Sequence, residues 1–192
     1  MNNIKKNVLA VISGPSGVGK GTVIKKMFEL CPGLCESVSC TTRAPRAGEV
    51  DGKDYFFIPK ERFEQMISRG ELLEYSAHFE NYYGTPKAFV EEKLKTCDVI
   101  LEIDVDGTLM VKKSHPSAVL IMITPPDMRE LENRLKKRGT ESDEKIALRI
   151  SRAEYELSKS DKYDYCVVND DVTRAAESIL AIIRKEKEVL ND

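Results

Sequence analysis

Apolar residues gather into short continuous runs separated by longer stretches in which they recur every three or four positions. Runs at 7–13 (NVLAVIS), 98–104 (DVILEID), 117–124 (SAVLIMIT) and 163–169 (YDYCVVN) read as strands buried on both faces. Between them the helical period returns. TPKAFVEEKLK has Thr85 as a possible N-cap with Pro86 at the first helical position. DMRELENRLKKRG opens with Asp127 and Glu130 at capping-box spacing, places Met128, Leu131 and Leu135 on one face, and stops at Gly139. A last helix starts near Asp170–Asp171 and buries Val172, Ala175, Ile179, Ile182 or Ile183, and Leu190. Alternating strands and helices predict an α/β protein with a mainly parallel sheet. Two regions break the alternation: 36–87, with short β-like pieces around one helix (PKERFEQMISRG), and 134–153, a polar patch joining two helices.

The chain has 192 residues, enough for one core with small insertions. Its net charge of −2 gives no general attraction to nucleic acid or anionic lipid, so any basic site must be local. The apolar runs are as long as one buried strand and far short of a bilayer span, and the first residues lack the apolar region of a signal peptide. These features predict a cytoplasmic protein without a membrane or nucleic-acid partner. Five cysteines (31, 35, 40, 97 and 166) include no C-x-x-C pair, and the two histidines, His78 and His115, complete no zinc pattern. Reduced, structural thiols are expected.

The first strand runs into ISGPSGVGKGT. Gly14, Pro15, Ser16, Gly17, Val18, Gly19 and Lys20 sit between a strand and an amphipathic helix carrying Val23, Met27 and Leu30. That context is what a phosphate-binding loop needs: glycines turn backbone N–H groups toward an oxyanion, the helix N-terminus adds positive potential, and Lys20 reaches the outer phosphates. Gly21 stands where a hydroxyl commonly serves magnesium, leaving Thr22 as the nearest candidate ligand. Glu102 and Asp104 end the strand VILEID and by alternation share a side, where two carboxylates could meet magnesium or a substrate donor. Asp104 also suits a plain strand-end acid in a turn. In SCTTRAPRAGEVDGKDY, Arg43, Arg46 and Tyr55 offer two guanidinium forks and a phenol to a second phosphate.

The stretches SGPSGVGKGT, SVSCTTRAPRAGEVDGKDYFF, ELLEY, NYYGT, ILEIDVDG, RLKKRGTES and VVND occur in the order found in guanylate kinases, and the chain resembles that family from about Val8 to Lys187. The resemblance implies a P-loop NTPase core with a five-stranded parallel sheet within a domain at 5–188. The core would span about 1–35, 88–128 and 158–192, with an inserted mixed α/β GMP-binding region at about 36–87 and a helical lid at about 129–157. It implies transfer of the γ-phosphoryl of ATP to GMP, and dGMP, giving ADP and GDP with Mg2+, in purine nucleotide metabolism and GMP recycling. Glu74 falls where the family reads guanine N1–H and N2–H₂, and Ser39 and Thr85 at further guanine contacts. Arg43, Arg46, Tyr55 and Tyr83 match holders of the GMP phosphate. Glu102 and Asp104 match paired acids near guanine and magnesium, their tasks undivided. Arg138 and Arg149 match lid arginines over the ATP phosphates, and Asn169 and Asp170 a segment beside adenine. Thr85 and Asp170 also suit helix N-caps. Asp106 stands where the family usually has glutamine, which adds a negative charge. Scaffold modules of this type, which bind phosphopeptides, usually have degraded phosphate loops, unlike this one. Ser39, Glu74 and NYYGT argue against other nucleoside monophosphate kinases and sugar-phosphate kinases.

Overall fold

The computed structural model describes residues 6–78, 80–137 and 142–192. Five parallel strands form the central sheet: β1 (Leu9–Ser13), β2 (Cys35–Glu36), β7 (Val99–Glu102), β8 (Val119–Thr124) and β9 (Tyr165–Val168). Their spatial order is β2-β7-β1-β8-β9. Alternation sorts their side chains into two cores. Ala10, Ile12, Ile100, Ile121 and Ile123 face one cluster, while Leu9, Val11, Val99, Leu101, Leu120 and Met122 face the other. Helices cover both faces, which is why these strands read as unbroken apolar runs. On the first face lie α1 (Lys20–Leu30), α5 (Met128–Lys137), α6 (Asp143–Leu157) and α7 (Val172–Asn191). On the second lie α3 (Lys87–Leu94) and α4 (Val105–Ser114). Ile121 is fully buried; truncating it to alanine would cost about 2–5 kcal/mol.

The irregular stretch after β2 builds a second sheet in the order β4-β3-β6-β5. Its strands are β3 (Cys40–Thr41), β4 (Phe56–Phe57), β5 (Leu72–His78) and β6 (Asn81–Pro86), with α2 (Lys60–Ser68) between β4 and β5. Pairing is parallel between β3 and β4 and antiparallel elsewhere. Its small core centres on Phe63, Met66 and Cys40, and the Phe63 ring stacks on Tyr82 at 5.2 Å.

Several local expectations change. Strand β7 ends at Glu102, and Asp104 instead caps α4, its Oδ1 accepting from Gly107 N at 2.7 Å. Thr85 is not an N-cap: β6 continues through Pro86, which precedes α3 without a side-chain cap. At α7 the capping acid is Asp171, which accepts from Arg174 N at 2.9 Å, not Asp170. Asp127 does cap α5, accepting from Glu130 N at 2.8 Å. Gly139 lies outside the described residues. The thiol expectation also fails for one pair, since Cys35 and Cys97 form a disulfide. Parallel pairing sets Cys35 opposite Val99, bringing alongside it a cysteine 62 positions away. Such proximity follows from strand register, which cysteine spacing does not reveal.

Candidate functional site

The turn between β1 and α1 is held from behind. Gly19 adopts φ 95°, in the left-handed region, and a Cβ there would lie 2.7 Å from Asn169 Nδ2. That amide is buried and donates to Val18 O at 2.8 Å. Arg134 of α5 braces the same place, donating to Val18 O at 3.3 Å and Asn169 O at 3.0 Å. Across the loop, Lys20 Nζ donates to Gly14 O at 2.6 Å. Gly21 has open space where a side chain would begin, and Thr22 is exposed in the first turn of α1.

A cleft of about 510 Å³ opens from this loop. Gly14, Ser16 and Lys20 line one part, and Glu102, Asp104, Ser39 and Tyr55 another. The last four also line an adjoining cavity of about 280 Å³ that adds Glu74, Ser76 and Tyr83. The sheet topology explains the layout, because the phosphate loop and both acids leave neighbouring parallel strands at the same end. Glu102 reaches into the open cleft while protein surrounds much of it; this crowding raises its carboxyl and Lys20 partly offsets the effect.

Glu74 is only 4% exposed. Burial pushes its carboxyl up to about 7, the Asp104 charge adds to that, and a hydrogen bond from Thr85 opposes it. Thr85 Oγ1 donates to Glu74 Oε1 at 2.6 Å. On the other side, a Cβ at Gly107 would stand 2.8 Å from Glu74 Oε2, so any larger residue there would have to push the Glu74 carboxyl aside. The result is a buried acceptor facing a cavity large enough for a flat heterocycle.

Beside Tyr55, Arg43 lines neither cavity and is clamped by its own loop. Its Nη1 donates to Glu49 Oε2 at 2.9 Å and its Nη2 to Oε1 at 2.8 Å. The clamp raises the already high pKa of the guanidinium, with a further contribution from Tyr83. Tyr55 meets Tyr83 edge-on at 6.0 Å and lies 5.6 Å beneath Arg43 Cζ. Arg46 donates only its backbone N–H to Glu49, at 2.7 Å, and its residue is exposed. Opposite, Arg149 of α6 donates from Nη1 to Ser16 Oγ at 2.9 Å, so α6 meets the phosphate loop directly. Arg138 lies outside the described residues. Asp170 is exposed and ion-paired with Arg174; it, Thr22 and Arg46 do not line either cavity.

The family model described as guanylate kinase matches residues 6–186. The chain belongs to the guanylate kinase family. It is 54% identical over 184 residues to the guanylate kinase of Caldanaerobacter subterraneus subsp. tengcongensis, covering 95% of this chain and 89% of that one. It is likewise 54% identical to that of Streptococcus thermophilus CNRZ 1066, with 95% and 88% covered. A crystal structure of guanylate kinase from Anaplasma phagocytophilum superposes with TM-score 0.74 at 34% identity, over 95% of this chain and 87% of that one. A gluconokinase from Sinorhizobium meliloti 1021, at 16% identity and TM-score 0.51, shares the fold alone. Family membership makes the chain a nucleoside monophosphate kinase that phosphorylates GMP with ATP. No described helix is long and apolar enough to cross a membrane.

Several residues that line or brace these cavities escaped the sequence reading, among them Ser76, Glu49, Arg134 and Glu156. Ser76 had a usable signal, since it lies two places after Glu74 on β5 and so shares its face. Glu49 follows Arg46 by three in a turn, a spacing that pairs it with either arginine. Arg134 and Glu156, which also lines the cleft, look like ordinary helical surface charges until the helices are packed.

Proposed function

We propose that the contiguous cleft is the site where ATP and GMP meet, with the domain boundaries and residue roles the family resemblance implies. The observation that carries this is the buried Glu74 carboxylate in a cavity continuous with the Lys20 phosphate loop. Guanine presents N1–H and N2–H₂ side by side, and one carboxylate accepts from both. Adenine would set a lone pair against it, which a buried acceptor penalises steeply. Ser39 and Thr85 serve the same base, and Arg43, Arg46, Tyr55 and Tyr83 hold its phosphate. The loop from Gly14 to Thr22 takes the ATP phosphates, with Asn169 and Asp170 toward adenine.

A phosphate oxygen of GMP attacks the γ-phosphorus of ATP as the bond to the bridging oxygen of ADP breaks. The acceptor is already ionised near neutral pH, so no general base is needed. The protein aligns two polyanions and neutralises charge spread over the transferring group. Lys20, Arg43, Arg138 and Arg149 supply that charge. Among the described residues no three His, Cys, Asp or Glu side chains form a metal cage. The cleft carboxylates fit magnesium as nucleotide kinases take it, through one or two acids plus phosphates; Asp104 and Thr22 would hold it. When bound, magnesium would supply divalent positive charge against the polyanion. Closure of α5 and α6 over the cleft excludes water, whose attack would hydrolyse ATP. A cytoplasmic location and action on dGMP belong to the same reading.

A coupled assay of ADP formation from ATP, offering GMP, dGMP, AMP, CMP and UMP in turn, tests it. Comparable turnover of AMP would overturn the role of Glu74.

A further inference from the structure

One face of α6 makes three separate contacts with the catalytic cleft and its surroundings. Arg149, Arg152 and Glu156 recur three and four residues apart, a spacing that aligns them along the helix. Arg149 meets Ser16 of the phosphate loop. One turn later, Arg152 divides its guanidinium between two elements. Its Nη2 donates to Asp106 Oδ2 on α4 at 2.9 Å, and its Nε donates to Glu156 Oε1 on its own helix, also at 2.9 Å. The Tyr155 ring lies 5.0 Å from its Cζ.

Both carboxylates lead to the cleft. Glu156 is 8% exposed and lines it together with Lys20 and Asp104. Asp106 lies in the first turn of α4, the turn that Asp104 caps. An exposed arginine with one acid would be a surface pair of little consequence. Here two acids and a ring fix a single guanidinium, and one of those acids faces the phosphate-loop lysine's cleft. Asp106 is also the position where the family resemblance expects a neutral glutamine, which could accept a hydrogen bond without offering a charge.

We propose that Arg152 is a positioning residue for phosphoryl transfer. It seats α6 on the first turn of α4 through Asp106, sets where Arg149 meets the phosphate loop, and aims Glu156 into the cleft beside Lys20 and Asp104. This rests on the reading of α6 as part of the lid that closes over ATP.

The test is kinetic. Arg152→Gln and Asp106→Asn, singly and together, are assayed for kcat with saturating MgATP and GMP, and for GMP affinity by calorimetry, at low salt and at about 0.5 M KCl. Each single change is expected to lower kcat about two- to fivefold, the range for one exposed pair acting on the transition state. GMP affinity stays unchanged. The double variant should lose no more than the worse single, because both remove one shared contact. The deficit should shrink at high salt, where exposed charges are screened. Arg152→Lys keeps the charge but loses the fork and should fall between parent and Arg152→Gln. A merely structural pair would shift the melting temperature and leave kcat alone. Additive losses, unchanged kcat in both singles, or a loss confined to GMP affinity would each overturn the proposal. Failure of the parent itself to phosphorylate GMP would overturn the reading beneath it, and the proposal with it.

Discussion

Thr85 donates its hydroxyl to Glu74 at 2.6 Å inside a pocket where both residues are buried. The bond stabilises the carboxylate, yet burial and the charge of Asp104 prevail and hold its pKa near 7. The unliganded protein therefore holds its candidate base-reading acid protonated to higher pH than a free carboxyl. Guanine, with two adjacent donors, would favour the ionised form.

Glu74→Gln should weaken GMP about ten- to a hundredfold while leaving an ATP analogue unaffected. The amide retains one acceptor but turns its other arm into a donor facing a guanine donor, at about 1.5–3 kcal/mol for a charge-assisted bond. Paired titrations with GMP and the analogue decide the matter, and equal GMP affinity in variant and parent would remove Glu74 from base recognition.

The same change should stabilise the empty protein at alkaline pH. Folded Glu74 holds its proton to about pH 7, whereas the unperturbed group releases it near 4.5. The folded state thus binds more protons between those values, and stability falls as pH rises through that window. The span corresponds to about 3 kcal/mol when ionisation is complete. Melting curves from pH 5 to pH 8 should show Glu74→Gln gaining on the parent as pH rises. A constant difference would mean that the acid titrates normally.

Lys20→Ala should reduce kcat a hundredfold or more without unfolding the chain. Its ammonium sits at the phosphate loop, where transferring charge needs it most, and losing one such donor costs about 10²–10³ in rate. A folded variant with more than about a tenth of parental kcat would contradict the role.

Arg149→Gln should act on turnover more than on GMP binding, because Arg149 meets the phosphate loop and not the cavity around Glu74. Calorimetry that found a large loss of GMP affinity with kcat intact would assign it elsewhere.

Reducing the Cys35–Cys97 bond should lower stability by about 4 kcal/mol, the chain-entropy value for a loop of this size. Turnover should persist, since neither cysteine lines the cleft. Thermal melts with and without a dithiol check the first point. A kcat that collapses on reduction at an unchanged melting temperature would show the bond to shape the site instead.

Four strands of the central sheet and the phosphate loop were legible because each depends on local sequence: apolar runs for strands shielded on both faces, and glycines before a lysine for an anion turn; the two-residue edge strand Cys35–Glu36 carries no such run. Glu74, Arg43 and Tyr55 became candidates through family resemblance or local clustering; the fold sets Glu74 and Tyr55 around one cavity and Arg43 over the Tyr55 ring. What escaped depended on register and helix packing. The Asn169–Val18 bond spans 151 positions, and the Arg152–Asp106 pair joins helices 46 positions apart. Boundaries slipped where two uses compete for one residue. Thr85 was a plausible cap until Glu74 took its hydroxyl, and Asp170 yielded capping to its neighbour Asp171.

The Arg43–Glu49 fork bears on the speed of encounter. A long side chain that waggles in solvent must surrender its rotational freedom when it grips an anion. Arg43 has already surrendered much of that freedom on folding, with its Cζ 5.6 Å from the Tyr55 ring centre and both terminal nitrogens engaged by Glu49. If Arg43 holds the phosphate as proposed, an arriving nucleotide would find a stiff anvil instead of a loose tether, and the Glu49 charge already paired with it would temper how tightly a lone phosphate could cling.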